Sequence, residues 1–187
     1  MKPQLGDTIL NRYTLVSSLR EEPGIQAWKA NDRVLAKDCQ LFIITDRSAF
    51  AAIDKLAGRI AATRPDRVIP ILKYRMESDV LLIVMPVDSG QCLTDYMVDT
   101  AKPLSYSAIR SIIGECADVL REVIADTPSG IVIAIDTVRV TTSGVQIADA
   151  PCATMLADTS ATDLRTDGPE RYAIRQLAAL LYTLLTR

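Results

Sequence analysis

Aspartate, glutamate, lysine, tyrosine or cysteine must carry any catalytic chemistry of this chain, because its 187 residues include no histidine. Histidine is the side chain whose ordinary pKa lies nearest neutrality. Its absence excludes a histidine general base, a Ser-His-Asp triad and a histidine-ligated zinc site. Asp136 and Asp149 follow apolar strand patterns in the second half of the chain. Carboxylates placed in this way could bind a metal ion or orient a nucleophile for phosphoryl transfer.

Composition narrows the class of protein further. The chain is 49% hydrophobic with a net charge of −2, and it contains no dense run of lysine or arginine. Nucleic acids and anionic membrane surfaces both need a basic footprint, so neither is expected as a partner. The cysteines are widely separated without a C-x-x-C pair, which indicates reduced, buried thiols rather than disulfides or a metal site. They are Cys39, Cys92, Cys116 and Cys152.

The location of the protein is also constrained by the pattern of apolar residues. The first four residues begin no apolar stretch of the kind found in signal peptides. The longest apolar run, residues 80–87, is too short to span a bilayer. We therefore expect a cytoplasmic chain that does not itself insert into a membrane, either free or as the cytosolic domain of a larger membrane protein.

The elements that would position these residues follow from apolar periodicity. The first half predicts strands 13–19, 25–30 and 39–45, a helix over 48–63, and strands 68–76 and 80–85. After a break at residues 86–90, the second half predicts helices 93–98 and 104–125, strands 131–135, 138–141 and 145–148, and a helix over 173–185.

Several segments resemble bacterial Ser/Thr protein kinases. Arg12-Tyr13, the run Trp28-Lys29-Ala30-Asn31-Asp32 and the run Cys39-Gln40-Leu41-Phe42 are similar to the first three kinase strands. The resemblance implies an α+β, two-lobed protein-kinase-like fold. Residues 1–86 would form a β-rich N-lobe with one αC helix. Residues 87–187 would form a helical, truncated C-lobe that ends at an αF-like helix.

The same resemblance places other residue types at the positions that carry phosphoryl transfer in kinases. Only the metal-binding aspartate keeps its kinase identity, and the remaining positions have lost theirs. The three loop glycines of kinases match Arg20, Glu22 and Ile25, and the phosphate-binding lysine and its glutamate partner match Phe42 and Lys55. The catalytic aspartate and asparagine match Val132 and Thr137, and the metal-binding aspartate matches Asp149. This implies a degenerate nucleotide cleft, with no catalytic residue, no metal and no cofactor.

A narrower resemblance involves the run Glu22-Pro23-Gly24-Ile25-Gln26-Ala27-Trp28, continued through Asp32 to Leu35. It is similar to the pseudokinase domain of actinobacterial MviN/MurJ-type lipid II flippases. In that family a receptor Ser/Thr kinase phosphorylates a threonine, and a forkhead-associated (FHA) domain protein then binds it and restrains peptidoglycan synthesis. Candidate phosphoacceptors in the polar stretch 151–169 are Thr154, Thr159, Thr162 and Thr166.

The last predicted helix carries a broad apolar face. We expect part of this face to be exposed and to contact a partner or a further segment, because exposed apolar patches commonly mark contact sites. The candidate interface residues are Ile174, Leu177, Leu181 and Leu184.

The sequence thus predicts a catalytically inactive pseudokinase that regulates cell-wall synthesis through protein binding. Three alternatives stay open. The first is a pseudokinase that binds nucleotide as a conformational switch. The second is an atypical phosphotransferase that uses Asp136 or Asp149. The third is a structural domain without phosphorylation input.

Overall fold

A computed structural model of the protein describes residues 3–77, 79–98, 103–126, 131–153 and 168–186. The strands are β1 (Thr8–Ile9), β2 (Tyr13–Glu22), β3 (Ile25–Asp32), β4 (Lys37–Ile44), β5 (Lys73–Glu77), β6 (Val80–Pro86), β7 (Gln91–Cys92), β8 (Val138–Thr141) and β9 (Gly144–Ile147). The helices are α1 (Arg47–Thr63), α2 (Leu93–Val98), α3 (Tyr106–Asp126) and α4 (Pro169–Leu185).

The chain forms two compact units that are not contiguous in sequence. The first contains Met1–Ala61 and Pro70–Val87, and the second contains Ala62–Ile69 and Asp88–Arg187. The chain therefore passes between the units at three places, and the short segment Ala62–Ile69 belongs to the second unit although its neighbours in sequence belong to the first.

The first unit is built on an antiparallel sheet with the strand order β1-β2-β3-β4-β6-β5. Successive side chains of a strand point to opposite faces, so a strand buried on both faces is continuously apolar. This pattern holds for the last six residues of β4 and for the centre of β6, which are buried throughout. The sheet therefore has an apolar core on each of its two faces.

Irregular pairing in β2 curls this sheet. The register of β2 against β3 shifts between Leu15 and Ser17 and again between Ser18 and Arg20. Bulges of this kind bend a strand and increase its twist. The two residues that the shifts bypass, Val16 and Leu19, are exposed, whereas Leu15 is buried in the core cluster that this face forms with Trp28, Leu41 and Val84.

Helix α1 is amphipathic and completes the first unit. Its buried residues recur three or four positions apart, as expected for a helix with one face in a core. They are Phe50, Ile53, Leu56, Ala57 and Ile60. A Cβ added at Gly58 of this helix would lie 3.4 Å from the Tyr74 hydroxyl of β5. The glycine thus lets an aromatic side chain of the sheet edge lie close to the helix.

The second unit combines helices α3 and α4, which pack against each other, with a three-stranded sheet of order β7-β8-β9. Glu115 of α3 fastens the segment Ala62–Ile69 to this unit. Its Oε2 accepts hydrogen bonds from Arg67 Nη1 at 2.6 Å and from the Val145 amide at 2.7 Å. The Ile147 amide also donates to the Arg67 carbonyl at 2.8 Å.

Three of the predicted elements differ most from the structure, whereas the boundaries of the others shift by three residues or fewer. The predicted strand 68–76 begins only at Lys73, and Val68 instead makes an isolated parallel bridge to Ile147. The predicted strand 131–135 is not a strand, although residues 131–133 are buried. Helix α4 begins at Pro169, four residues earlier than predicted, because proline is favoured in the first turn of a helix, where its missing amide hydrogen is not needed.

All four cysteines are free thiols. Burial raises the pKa of the Cys39 thiol to about 11 and that of the Cys116 thiol to about 12. Cys152 is fully buried and its pKa is also raised by burial. These three cysteines act as small apolar core residues, whereas Cys92 is partly exposed.

Candidate functional site

The turn between β2 and β3 occupies the position expected for a phosphate-binding loop. The two strands pair up to Glu22 and Ile25, so only Pro23 and Gly24 form the turn. Gly24 has φ 78°, and a proline followed by a glycine with positive φ is the pattern of a type II turn. The connection is therefore a tight hairpin rather than an open loop.

This turn is fastened to the junction between β4 and α1. The Gly24 carbonyl accepts hydrogen bonds from the amides of Thr45 at 2.8 Å and Asp46 at 3.2 Å. A Cβ placed on Gly24 would lie 2.6 Å from the Asp46 Cβ, which is closer than such atoms approach in proteins. Gly24 is thus needed for the close packing of the turn against Asp46.

The charged side chains that line the space beside the turn are two carboxylates. A cavity of about 520 Å³ is lined there by the turn itself and by Glu21 and Glu22. Glu22 lies 3.5 Å from Arg20 Nε, and Glu21 accepts a hydrogen bond from Gln26 Nε2 at 3.4 Å. Two carboxylates disfavour an anionic ligand, and Pro23 supplies no amide donor. This cavity does not have the chemistry of a phosphate cradle.

Phe42 of β4 is completely buried. It lies opposite Ala27 of β3 and Ile83 of β6, so that its side chain shares a face of the sheet with theirs. Lys55 of α1 is exposed, and its side chain makes no ion pair or hydrogen bond within the described residues. Phe42 carries no charge, and the Lys55 ammonium group is not paired with a carboxylate of the described residues. The two positions therefore do not form a lysine–glutamate ion pair.

In the second unit, Val132 and Thr137 close a short loop. Both are 1% exposed. The Thr137 hydroxyl accepts a hydrogen bond from the Ala134 amide at 2.9 Å and lies 3.1 Å from the Val132 carbonyl, to which it can donate. The Thr137 carbonyl accepts from the Ala148 amide at 2.8 Å. These contacts make Thr137 a structural residue of the loop and leave its side chain without the geometry of a metal ligand.

Gln176 of α4 is hydrogen-bonded to the backbone of the same loop, and the sequence analysis did not identify it. Its Oε1 accepts a hydrogen bond from the Ile133 amide, and its Nε2 donates to the Ile131 carbonyl at 3.2 Å. The side chain is buried and replaces the partners that these backbone groups would have in a sheet. The signal in the sequence was a glutamine on the buried face of an otherwise apolar helix.

Arg139 is a second residue that sequence analysis missed. Its Nε donates to Asp88 Oδ2 at 2.6 Å, and its Nη1 donates to the Asp136 carbonyl at 2.6 Å and lies 3.2 Å from Cys92 Sγ. The guanidinium thus joins β8 to β7 and to the loop that contains Asp136. A nearly buried arginine between these segments would have been hard to distinguish in sequence from any arginine of an exposed strand.

Asp149, which the sequence resemblance matches to the metal-binding aspartate of kinases, lies in a constrained turn. It is buried, with φ 58°, and its carbonyl accepts a hydrogen bond from the Cys152 amide at 2.8 Å. Aspartate tolerates this left-handed conformation better than most residues. Within the described residues, no three cysteine or acidic side chains cluster as they would around a metal ion.

The predicted site residues are therefore divided between the units. Arg20, Glu22, Phe42 and Lys55 lie in the first unit, and Val132, Thr137 and Asp149 lie in the second. Thr154, Thr159, Thr162 and Thr166, the candidate phosphoacceptors, lie outside the described residues.

The candidate interface on α4 is only partly exposed. Ile174 is 66% exposed, Leu181 is exposed and Leu177 is half-buried. Leu184 differs from the expected exposed face, because it is only 4% exposed and lies on the buried side of the helix. The reason is helical geometry, since Leu184 continues the buried row of Tyr172, Gln176 and Leu180 at four-residue spacing.

Comparison with known proteins gives the fold. No family model and no curated protein sequence matches the chain. Among solved structures, the kinase domain of PknI from Mycobacterium tuberculosis, in a mutant form, is similar with a TM-score of 0.71 and 14% sequence identity. The match covers 98% of this chain and 78% of that one. The chain therefore has a protein-kinase-like α+β fold, with a curled, β-rich part and a helical part. No helix among the described residues is long and apolar enough to cross a membrane.

Proposed function

We propose that this kinase-like chain is a catalytically inactive regulatory module that works by binding other proteins. The observation that carries the proposal is the complete burial of Phe42 between Ala27 and Ile83. In protein kinases the lysine that contacts the ATP phosphates lies on the third strand of the small lobe, where its charge is needed for phosphoryl transfer. A buried phenyl ring at the matching position offers no charge to a nucleotide.

The turn at Pro23-Gly24 supports the same proposal. A phosphate-binding loop works because free backbone amides close over the phosphates. Here the turn is short, its carbonyl is fastened by two amides, and Glu21 and Glu22 lie beside it. Recovering a phosphate cradle would require breaking these hydrogen bonds and bringing an anion next to two carboxylates.

We further propose that the module acts in phosphorylation-dependent control of peptidoglycan synthesis. In this proposal a receptor Ser/Thr kinase phosphorylates a threonine of the chain, and an FHA-domain protein binds the phosphothreonine. The proposal rests on the resemblance of residues 22–35 to flippase pseudokinase domains. Phosphorylation adds about two negative charges and strong acceptor oxygens, which suits recognition by arginine-containing pockets.

A thermal-shift titration with ATP, with and without Mg²⁺, tests the loss of nucleotide binding. A ligand that binds only the native state raises its stability by roughly 2.7 kcal/mol at a hundredfold excess over the dissociation constant. We expect no shift with millimolar ATP, while an active kinase domain measured in parallel shows one. A metal-dependent shift of this chain would overturn the inactive-cleft proposal.

The alternative of a nucleotide-binding switch is favoured by one observation, the retained and buried Asp149. The matched variant is Asp149→Asn, because asparagine also tolerates the left-handed backbone and removes only the charge. If ATP and Mg²⁺ stabilise the native chain and the variant abolishes the effect, the switch is correct. If the variant leaves the effect unchanged, nucleotide binds without the metal-binding carboxylate.

The partner proposal needs a separate test. The chain is phosphorylated by a receptor Ser/Thr kinase, the modified threonines are mapped by mass spectrometry, and an FHA domain is titrated onto both forms. Binding that requires phosphate and is lost when the mapped threonine is changed to alanine supports the proposal. Equal binding to both forms, or no modified threonine, would contradict it.

A further inference from the structure

Strand β5 lies at the edge of the first unit's sheet. It pairs with β6, and within the described residues no strand pairs with its other side. All five residues of β5 are exposed. An open strand edge offers a row of amide and carbonyl groups to another chain.

One face of this edge is apolar. Leu72, Tyr74 and Met76 are spaced two residues apart and are 59%, 41% and 49% exposed. Register places Tyr74 opposite Ile83 and Met76 opposite Leu81, both of which are buried. Cross-strand partners have side chains on the same face of a sheet. The exposed row therefore continues a buried apolar face of the sheet outward to its open edge.

The charges around this row are mostly positive. Lys73 on β5 and Lys55 on α1 make no ion pair within the described residues. Gly58 of α1 lies beside Tyr74, and Lys55 is about one helical turn before Gly58 on the same side of the helix. The remaining charges of β5, Arg75 and Glu77, pair with each other at 3.2 Å. This surplus of positive charge stands out in a chain whose net charge is −2.

We propose that the open edge of β5 binds an extended, acidic segment of a partner protein as an additional strand. The backbone of the segment would pair with β5, and its apolar side chains would pack on Leu72, Tyr74 and Met76. Its carboxylates would project to the opposite face of the sheet, beside Lys73, and Lys55 on the apolar face would add positive charge at longer range. Strand addition of this kind takes affinity from backbone hydrogen bonds and specificity from alternate side chains. A second copy of this chain fits less well, because two such edges would bring the unpaired lysines of both chains to one interface. The proposal does not depend on nucleotide binding or on phosphothreonine recognition.

The probe is a nine-residue peptide that alternates glutamate and valine, titrated onto the isotope-labelled full chain and followed by NMR. We expect chemical-shift changes at residues 72–77 and at Lys55 and Gly58, and weaker binding at high salt. A peptide that alternates lysine and valine is the charge control and should bind at least about tenfold more weakly, a difference of 1.4 kcal/mol. Absence of shift changes at residues 72–77 with millimolar acidic peptide overturns the proposal.

Backbone methylation separates strand addition from simple charge attraction. In a strand, alternate amides point to opposite edges. Two versions of the acidic peptide are N-methylated, one at the odd and one at the even residues. Strand addition predicts that one version loses binding at least about tenfold while the other loses much less, since only one set of amides faces β5. Equal loss or equal retention in both versions overturns strand addition.

Variants of the chain identify the surface. The double variant Tyr74→Thr and Met76→Thr removes the apolar row but keeps residues suited to a strand. It should abolish binding, and Lys73→Glu should weaken it. Val34→Thr, a similar change at an exposed residue of the β3–β4 turn, is the matched control and should bind normally. Normal peptide binding by the double variant would overturn the proposed docking surface. Concentration-dependent dimerisation of the native chain that the double variant abolishes would mean that a second copy of the chain, and not an acidic partner segment, occupies the edge.

Discussion

Arg12 and Asp32 form a bidentate salt bridge between the start of β2 and the end of β3. Arg12 Nε donates to Asp32 Oδ1 at 2.9 Å, and Arg12 Nη2 donates to Oδ2 at 2.7 Å. The same carboxylate accepts hydrogen bonds from the amides of Val34 and Leu35, at 3.0 and 3.3 Å. Asp32 therefore joins the start of β2 to the turn between β3 and β4.

This bridge predicts a pH dependence of stability. The hydrogen bonds from Arg12, followed by those from the two turn amides, lower the pKa of Asp32 from 3.8 to about 2. A lowered pKa in the folded state means that the stabilisation is fully present well above the ordinary pKa of 3.8 and is lost as the pH falls through about 2. We expect Asp32→Asn to lower the free energy of unfolding by about 2 kcal/mol at pH 6, since bonds to a charged group are lost.

Urea denaturation between pH 6 and pH 2.5 measures this effect. The difference between the native chain and Asp32→Asn should shrink toward the acid end of the range. Asp38→Asn serves as the control, because its exposed pair with Lys29 should contribute little. A difference that stays constant with pH would show that the variant acts through packing and not through the charge of Asp32.

The motif around this bridge shows what sequence could predict of the fold. Arg12-Tyr13 and the run ending at Asp32 were recognised as a kinase-like pair of strands, and the fold that they imply is confirmed by the similarity to the PknI kinase domain. Alternation and continuous apolar runs also located β4 and β6. The ion pair itself could not be predicted, because it joins residues 20 positions apart whose meeting depends on the register between strands.

The Pro23-Gly24 turn gives a second prediction, based on two glycines with positive φ. Gly24 has φ 78° and Gly6 has φ 87°, so alanine is strained at both positions. Only at Gly24 would the added Cβ meet another atom, the Asp46 Cβ at 2.6 Å, while nothing lies within 4 Å at Gly6. We expect Gly24→Ala to lower stability by at least about 1 kcal/mol more than Gly6→Ala, since close-packed sites resist added volume.

Chemical denaturation of the two variants under identical conditions provides the measurement. Because both carry the same backbone strain, their difference isolates the contact between the turn and the start of α1. Equal losses of stability in the two variants would mean that the turn can move away from Asp46 at little cost. That result would contradict the view that hydrogen bonds and packing hold this turn against the start of α1.

Gln176 gives a third prediction. Gln176→Leu keeps a similar size but leaves the Ile133 amide and the Ile131 carbonyl without their partner in a buried site. Each unsatisfied buried group costs about 1–3 kcal/mol, so we expect a loss of at least about 2 kcal/mol. Faster amide hydrogen exchange at Ile133 should accompany the loss. Gln91→Leu, at an exposed position of β7, should change neither quantity.

Gln176 also marks the limit of sequence reasoning about the site. The absence of a histidine could be read from the sequence alone, and the mismatches to the kinase glycines and lysine were expectations from residue types and spacing. The loop 131–135 was instead interpreted as a strand, because a short apolar run does not reveal whether its backbone groups pair with a strand or with a side chain. That distinction depends on a glutamine more than forty positions away, which only the packing of α4 brings to the loop.

A lysine at Phe42, the position that the sequence resemblance matches to the phosphate-binding lysine, provides the last prediction. Because Phe42 is completely buried, Phe42→Lys removes a large apolar side chain and places an ammonium group where water cannot reach it. Loss of a buried phenyl ring alone costs about 3–5 kcal/mol, and burial of the charge adds to this cost. We therefore expect a strongly destabilised chain that gains no affinity for ATP, whereas Phe42→Leu, which keeps the site apolar, should be less destabilised.

Urea denaturation and an ATP thermal-shift titration on both variants distinguish the possible causes. If Phe42→Lys is as stable as Phe42→Leu and is further stabilised by ATP with Mg²⁺, the site can admit water and phosphate, and Phe42 merely blocks a cleft that is otherwise intact. If it is unstable and insensitive to nucleotide, the phenyl ring is part of the core. The proposed inactivity would then rest on the packing around Ala27 and Ile83 as well as on the missing charge, and a single substitution could not reverse it.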